Sequence, residues 1–172
     1  MSAVTAVPPS TFGIPALRAE DPRFLRGEGR YLESIQIERS LRAVFVRSIF
    51  PHARLSGVEG LDEARSMPGV VAVYTADDLG LPAQPPAGNV EAPSGELDQP
   101  FDREPLARDR LRFVGEPFAV VIAETSGQAQ DAAELIGASA DPLDAVTDAE
   151  LAAKDGAPLL FPAIGTNVAH RF

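Results

Sequence analysis

The chain has 172 residues, 45% of them hydrophobic, and no cysteine. That is enough to bury one core, and it excludes a disulfide framework, a thiolate metal site and a cysteine-held iron–sulfur cluster. The net charge of −10 argues against a nucleic-acid binder, although Arg18 to Arg54 carries eight Arg against five acids and could meet an acidic or phosphate-bearing partner; scattered solvated arginines explain the same count.

No run reaches the roughly 20 apolar residues that a bilayer span requires. Met1 to Leu17 holds no Lys or Arg, so a signal peptide is not expected and a cytoplasmic location is the default. Residues 1–16 lack charge and period and read as a flexible arm. Asp21-Pro22 then opens a short helix, with Asp21 as N-cap, Pro22 at the first helical position and Gly27 as the stop. Leu41 to Ser48 is a strand with Leu41, Ala43 and Phe45 on one face and Val44 and Val46 on the other. Ala53 to Val58 is a second strand, and the interval Ile49 to His52 suits a hairpin-like connection. Leu61 to Met67 is one or two helical turns ended by Pro68-Gly69. Val70 to Thr75 reads as a buried strand, and Thr75 to Asp78 caps a turn stopped at Gly80.

Leu81 to Pro105 holds six of the sixteen prolines, and a loop of that length inside a domain is functional, disordered or a surface arm. Leu111, Phe113 and Val114 approach Gly115-Glu116-Pro117. There the glycine permits a positive φ and the proline lacks an N–H, so the sequence predicts a bulge or sharp bend between two strands. Phe118 to Ala123 is wholly apolar, a strand buried on both faces. Thr125 and Gln128 have capping-box spacing, in which each side chain bonds the other's backbone N–H. The helix that follows lays Ala129, Ala132, Ala133 and Ile136 on the sheet. Ala138 to Val146 is a weaker strand broken at Pro142, and Thr147 to Glu150 caps a last short helix ended by Gly156. Asn167 to Phe172 starts another strand. The order β-β-α-β, long loop, β-β-α-β, with two hairpin-like steps, predicts an α+β fold: a mixed, largely antiparallel sheet with short helices packed on one face.

Chemistry is sparse. His52 and His170 are the only histidines and neither has a neighbouring ligand, so turn and tail roles are favoured over metal binding. Glu116 could place a carboxylate in a cleft, but a bend role or a salt bridge to an arginine such as Arg112 is favoured. Asp77-Asp78 sits at a helix start and reads as a cap. Gly27-x-Gly29 lacks the strand and third glycine of a nucleotide loop. Arg47 and Arg54 could clamp a phosphate, although exposed strand-edge arginines are commoner. A small hydrolase would need a positioned nucleophile and base that this composition does not offer.

Six motifs occur in family order: Arg18-x-Glu20-Asp21-x-Arg23-Phe24-Leu25-x-Gly27-x-Gly29-x-Tyr31; Phe45-Val46-Arg47-Ser48 with His52-Ala53-Arg54; Pro68 to Val73; Arg112-Phe113-Val114-Gly115-Glu116-Pro117 running into Ala119-Val120-Val121; Ala129 to Leu135; and Pro142-Leu143 with Ala145-Val146. Over Leu17 to Phe172 the chain resembles the start of molybdenum-hydroxylase large subunits, the xanthine dehydrogenase, aldehyde oxidase and aerobic carbon monoxide dehydrogenase-like proteins. Two departures stand out. Gly137 to Asp141 lacks the family's acidic and aromatic alternation, and the Leu81 to Pro105 loop is particular to this chain.

The resemblance implies an α/β hammerhead domain spanning 17–166, with 167–172 leading toward a molybdopterin-binding region that is missing or separately encoded. It implies no catalytic, cofactor-binding or metal residue in this chain, since the family's catalytic glutamate lies beyond its last residue. A molybdopterin-type molybdenum cofactor, FAD and iron–sulfur clusters would sit on partner chains. The implied partners are the molybdopterin-binding remainder of the large subunit and the FAD-binding and iron–sulfur subunits. The structural or interface candidates are Arg47, Arg54, Gly115, Glu116 and Pro117. The expected function is a scaffolding hammerhead domain or split subunit of such a hydroxylase, inactive alone; a free-standing interaction module that kept the fold is the alternative.

Overall fold

A computed structural model describes residues 18–32, 35, 37–84 and 101–169. The expected arm at 1–16, most of the Pro-rich loop and His170 lie outside the described residues. The chain divides into two compact units, Met1–Arg39 and Ser40–Phe172.

In the first unit the helix α1 is Asp21–Leu25, with Pro22 in its first turn and Glu20 rather than Asp21 at the N-cap. The Glu20 carbonyl accepts from Phe24 N–H at 3.1 Å, which starts the turn one residue earlier than expected. Gly27 stops it, and the Phe24 ring stacks on Tyr31 at 5.7 Å.

The second unit contains β1 (Arg42–Arg47), β2 (Ala53–Glu59), α2 (Leu61–Ser66), β3 (Val70–Thr75), α3 (Ala76–Leu79), β4 (Arg110–Leu111), β5 (Pro117–Ala123), α4 (Ser126–Glu134), β6 (Gly137–Pro142) and α5 (Ala149–Ala152). They form not one sheet but two antiparallel three-stranded ones, ordered β1-β5-β3 and β4-β2-β6. Neither expected hairpin exists. Both β1 to β2 and β4 to β5 cross from one sheet to the other. The Ser48 hydroxyl accepts from Phe50 N–H at 2.9 Å and donates to the Phe50 carbonyl, turning the chain out of β1 before it can double back.

The apolar β5 takes the centre of its sheet, as its composition predicts, and pairs on both sides. Among the described residues strand β3 is an edge; Val73 is buried, but Val71 and Tyr74 are exposed. On β1, Val46 is buried and Phe45 exposed, the predicted alternation. β6 pairs along nearly all of β2 despite its small residues.

Helix α4 presents Ala129, Ala132 and Ala133 to the core and packs on β1 and β5, and Ile136, just past its C-cap, is buried with them. Small side chains let helix and sheet approach closely. Thr125 is its N-cap, accepting from Gln128 N–H at 3.3 Å; the Gln128 side chain bonds the Thr125 hydroxyl rather than its backbone N–H. Ala53, Leu55 and Leu111 from the second sheet join Val46, Val73, Ala119 and Val121 in the same cluster, so one core serves both sheets. Gly60, at φ +77, caps α2 against the end of α4, where any Cβ would collide with the Leu135 carbonyl. Asp148, one residue after the predicted Thr147, caps α5. No strand occurs at 167–169; the Asn167 amide instead donates to the carbonyls of Ala152 and Pro158.

Candidate functional site

Two of the crossovers between the sheets, β1 to β2 and β4 to β5, are tied to each other. Val114 and Gly115 are the central residues of a turn closed by Glu116 N–H donating to the Phe113 carbonyl at 3.2 Å, and Gly115 takes φ +91. A positive φ at the third residue is the type II arrangement, the conformation for which glycine is suited. From this turn Gly115 N–H donates to the Ser48 carbonyl at 2.7 Å, and Ser48 N–H donates to the Glu116 carbonyl at 2.9 Å. Arg47 adds a side-chain bond, its guanidinium donating to the Gly115 carbonyl at 2.9 Å while lying over the Phe45 ring. Pro117 opens β5 opposite Arg47, and the register shifts between Val46 and Arg47, so the predicted irregularity is there. Phe113 and Val114, expected in the approaching strand, belong instead to this turn, because β4 ends at Leu111.

Four of the five sequence-selected residues, Arg47, Gly115, Glu116 and Pro117, therefore meet at one place. Arg54 does not. It pairs across β2 with Arg110 and Asp141 in the other sheet and is exposed. A bidentate clamp by Arg47 and Arg54 has no support in this arrangement.

Glu116 is buried, and its carboxylate accepts from both Arg112 N–H and the Arg112 guanidinium, the latter at 3.5 Å. The salt-bridge reading thus describes its role. Arg112 also donates to the Arg110 carbonyl at 3.0 Å and lies 4.8 Å from the Phe161 ring centroid, with Phe101 edge-on to Phe161. Among the described residues Arg112 Nε is a buried polar atom without a hydrogen-bond partner.

His52, read from sequence as a turn residue, is in fact 2% exposed. Arg110 can only donate, so His52 Nε2 accepts from it at 2.8 Å, and Nδ1 carries the proton to the Asp144 carbonyl at 2.7 Å. The imidazole joins β4 to the segment after β6 and has no ring nitrogen left for a metal or a substrate. Its place between Phe50-Pro51 and the buried Ala53 was the one sequence signal of burial.

Asp78 caps α3 as predicted. Thr75 backbone N–H, then the Thr75 hydroxyl, hold its carboxyl below the ordinary value, with Arg65 adding attraction. Asp77 pairs with Arg108, whose guanidinium is held above its usual value chiefly by Glu104. Among the described residues, no group of three or more His, Asp or Glu is arranged to hold a metal ion.

Residues 26–144 match the family described as aldehyde oxidase and xanthine dehydrogenase, a/b hammerhead domain. The nicotine 6-hydroxylase large subunit of Paenarthrobacter nicotinovorans is 39% identical over 136 residues, covering 76% of this chain and 16% of the relative. The carbon monoxide dehydrogenase large chain of Afipia carboxidovorans is 34% identical over 152 residues, covering 86% and 17%. The crystal structure of quinoline 2-oxidoreductase from Pseudomonas putida 86 matches with a TM-score of 0.75 at 34% identity, covering 91% of this chain and 19% of that one. The chain spans less than a fifth of the length of these proteins.

Proposed function

Because the chain belongs to the aldehyde oxidase and xanthine dehydrogenase hammerhead family, we propose that it is the hammerhead component of a molybdopterin-dependent hydroxylase or dehydrogenase. In that role it scaffolds a cofactor-bearing polypeptide and does not turn over substrate by itself. The observation that carries this reading is the family match over a region whose polar clusters are spent on one another. His52 is used by Arg110 and Asp144, Glu116 by Arg112, and Arg47 by Gly115.

The phosphate clamp considered from the sequence is not assembled here. The two arginines considered for a phosphate lie in different sheets, and Arg112, the other guanidinium near the tied loops, is already held by Glu116. The cofactor, FAD and iron–sulfur clusters are accordingly assigned to partner chains. Two relatives bear the names large subunit and large chain, which suits membership of a multi-chain assembly. A cytoplasmic setting belongs to the same proposal; among the described residues no helix is long and apolar enough to cross a membrane.

A second reading, a free-standing interaction module that binds a partner protein, is favoured by one observation. Asn167 ties the segment after α5 back onto this chain instead of leaving it extended for pairing elsewhere. Metal analysis of the isolated, refolded chain tests the first reading. Molybdenum far below stoichiometry and no hydroxylase activity are expected; stoichiometric molybdenum in the monomer overturns the reading.

A further inference from the structure

The tied crossovers leave three large apolar side chains in water. Ile49 is 81% exposed, Val114 62% and Phe113 41%. Scattered exposed apolar residues need no explanation. These three are not scattered: Ile49 follows Ser48, and Phe113 and Val114 precede Gly115, so all lie within two residues of the backbone bond that joins the loops. The loops are rigid in the sense that matters for binding. Two backbone bonds and the Arg47 to Gly115 bond fix them against each other, so little ordering cost remains to be met on association.

The flanks are positive on a chain of net charge −10. Arg47 is exposed at one side. At the other, the exposed Arg103 guanidinium lies 5.6 Å from the Phe113 ring centroid, which holds the aromatic in place and leaves a cation beside it. The nearby carboxylate of Glu116 is turned inward to Arg112 and does not neutralise this rim. Apolar anchors at the centre with arginines around them are the anatomy of a protein-binding hot spot. A tip that projects anchors calls for a partner that supplies a pocket, and a basic rim calls for carboxylates around it.

We infer that the Ile49, Phe113 and Val114 tip docks into an apolar pocket on the cofactor-bearing polypeptide, with carboxylates on the pocket rim meeting Arg47 and Arg103. This rests on the hammerhead reading above and names the surface through which that scaffold engages its partner.

The test uses the tagged full chain produced in its own host, as wild type and as Val114→Asp, Ile49→Asp and Arg103→Glu, with Leu151→Asp on α5 as an exposed apolar control far along the chain. The readout is the molybdenum-bearing polypeptide recovered per tagged chain, with circular dichroism confirming that each variant is folded. Val114→Asp and Ile49→Asp should each lose recovery by about tenfold, the scale of a single hot-spot anchor. Arg103→Glu, which leaves the turn untouched, should lose recovery most at low salt, and Leu151→Asp should match wild type. If wild type and all tip variants recover the polypeptide equally, or if Leu151→Asp loses it as much as they do, the tip is overturned and the hammerhead reading stands. If wild type recovers no such polypeptide, both fall.

Discussion

Replacing Glu116 by alanine should unfold the joint between the two sheets before it touches anything else. The Glu116 and Arg112 side chains are only 5% and 16% exposed, so solvent screens their interaction little. Breaking a buried pair costs about 3–5 kcal/mol, because the surviving charge stays buried. Here Arg112 keeps the Arg110 carbonyl at 3.0 Å, the Phe161 ring at 4.8 Å and a distant Asp109 at 3.7 Å, so the lower end applies. The expected loss is about 3 kcal/mol, which at roughly 2–4 °C per kcal/mol for a chain of this size lowers Tm by roughly 6–12 °C. Glu116→Gln keeps an acceptor for Arg112 N–H and loses only the charge, so it should cost about 1–2 kcal/mol. Urea unfolding of Glu116→Ala, Arg112→Met and the double variant closes the cycle; the double variant should be less damaged than the sum of the singles. A Glu116→Ala midpoint within about 0.5 kcal/mol of wild type, the range of ordinary surface substitutions, would refute the joint as a source of stability.

Gly115→Val should destabilise by about 1–3 kcal/mol through backbone strain alone, since a side chain at φ +91 meets no atom within 4 Å; an unchanged urea midpoint would remove the turn assignment. Asp78 gives a pH-dependent counterpart. Its folded carboxyl titrates below the ordinary value, so its contribution is present above the unfolded value near about pH 4 and disappears as pH falls through the lower folded one. Asp78→Asn should therefore be less stable than wild type at neutral pH and converge with it in strong acid. A difference that persists or widens in strong acid contradicts the cap.

The elements that sequence reading found are those whose signal is local. Phe118 to Ala123 is apolar at every position and became the central strand. Ala129, Ala132, Ala133 and Ile136 recur at helical spacing and all are buried. Gly115 was legible as a positive-φ turn because few other reasons place a glycine before Glu-Pro, and a salt bridge to an arginine such as Arg112 was one of the two roles open to Glu116.

What sequence could not supply was destination. Five residues between β1 and β2 fit a hairpin and a crossover equally well. The Ser48 hydroxyl that turns the chain aside is one serine among several. The same ambiguity turned two sheets into one in the sequence reading, and it made β3 look buried when its apolar run in fact lies at an edge. The burial of His52 at its bend was not legible for a related reason: its partners, Arg110 and Asp144, are 58 and 92 residues away. Arg47 and Arg54 looked like a pair because they are close in sequence, and the fold places them in different sheets.

Native mass spectrometry with molybdenum quantification, on the tagged wild-type chain recovered from its own host, tests the central claim most directly. The account predicts recovery in a complex whose molybdenum resides on a larger polypeptide, together with flavin and iron–sulfur chains. Recovery as a lone monomer, or with a partner that carries no molybdenum, would contradict it.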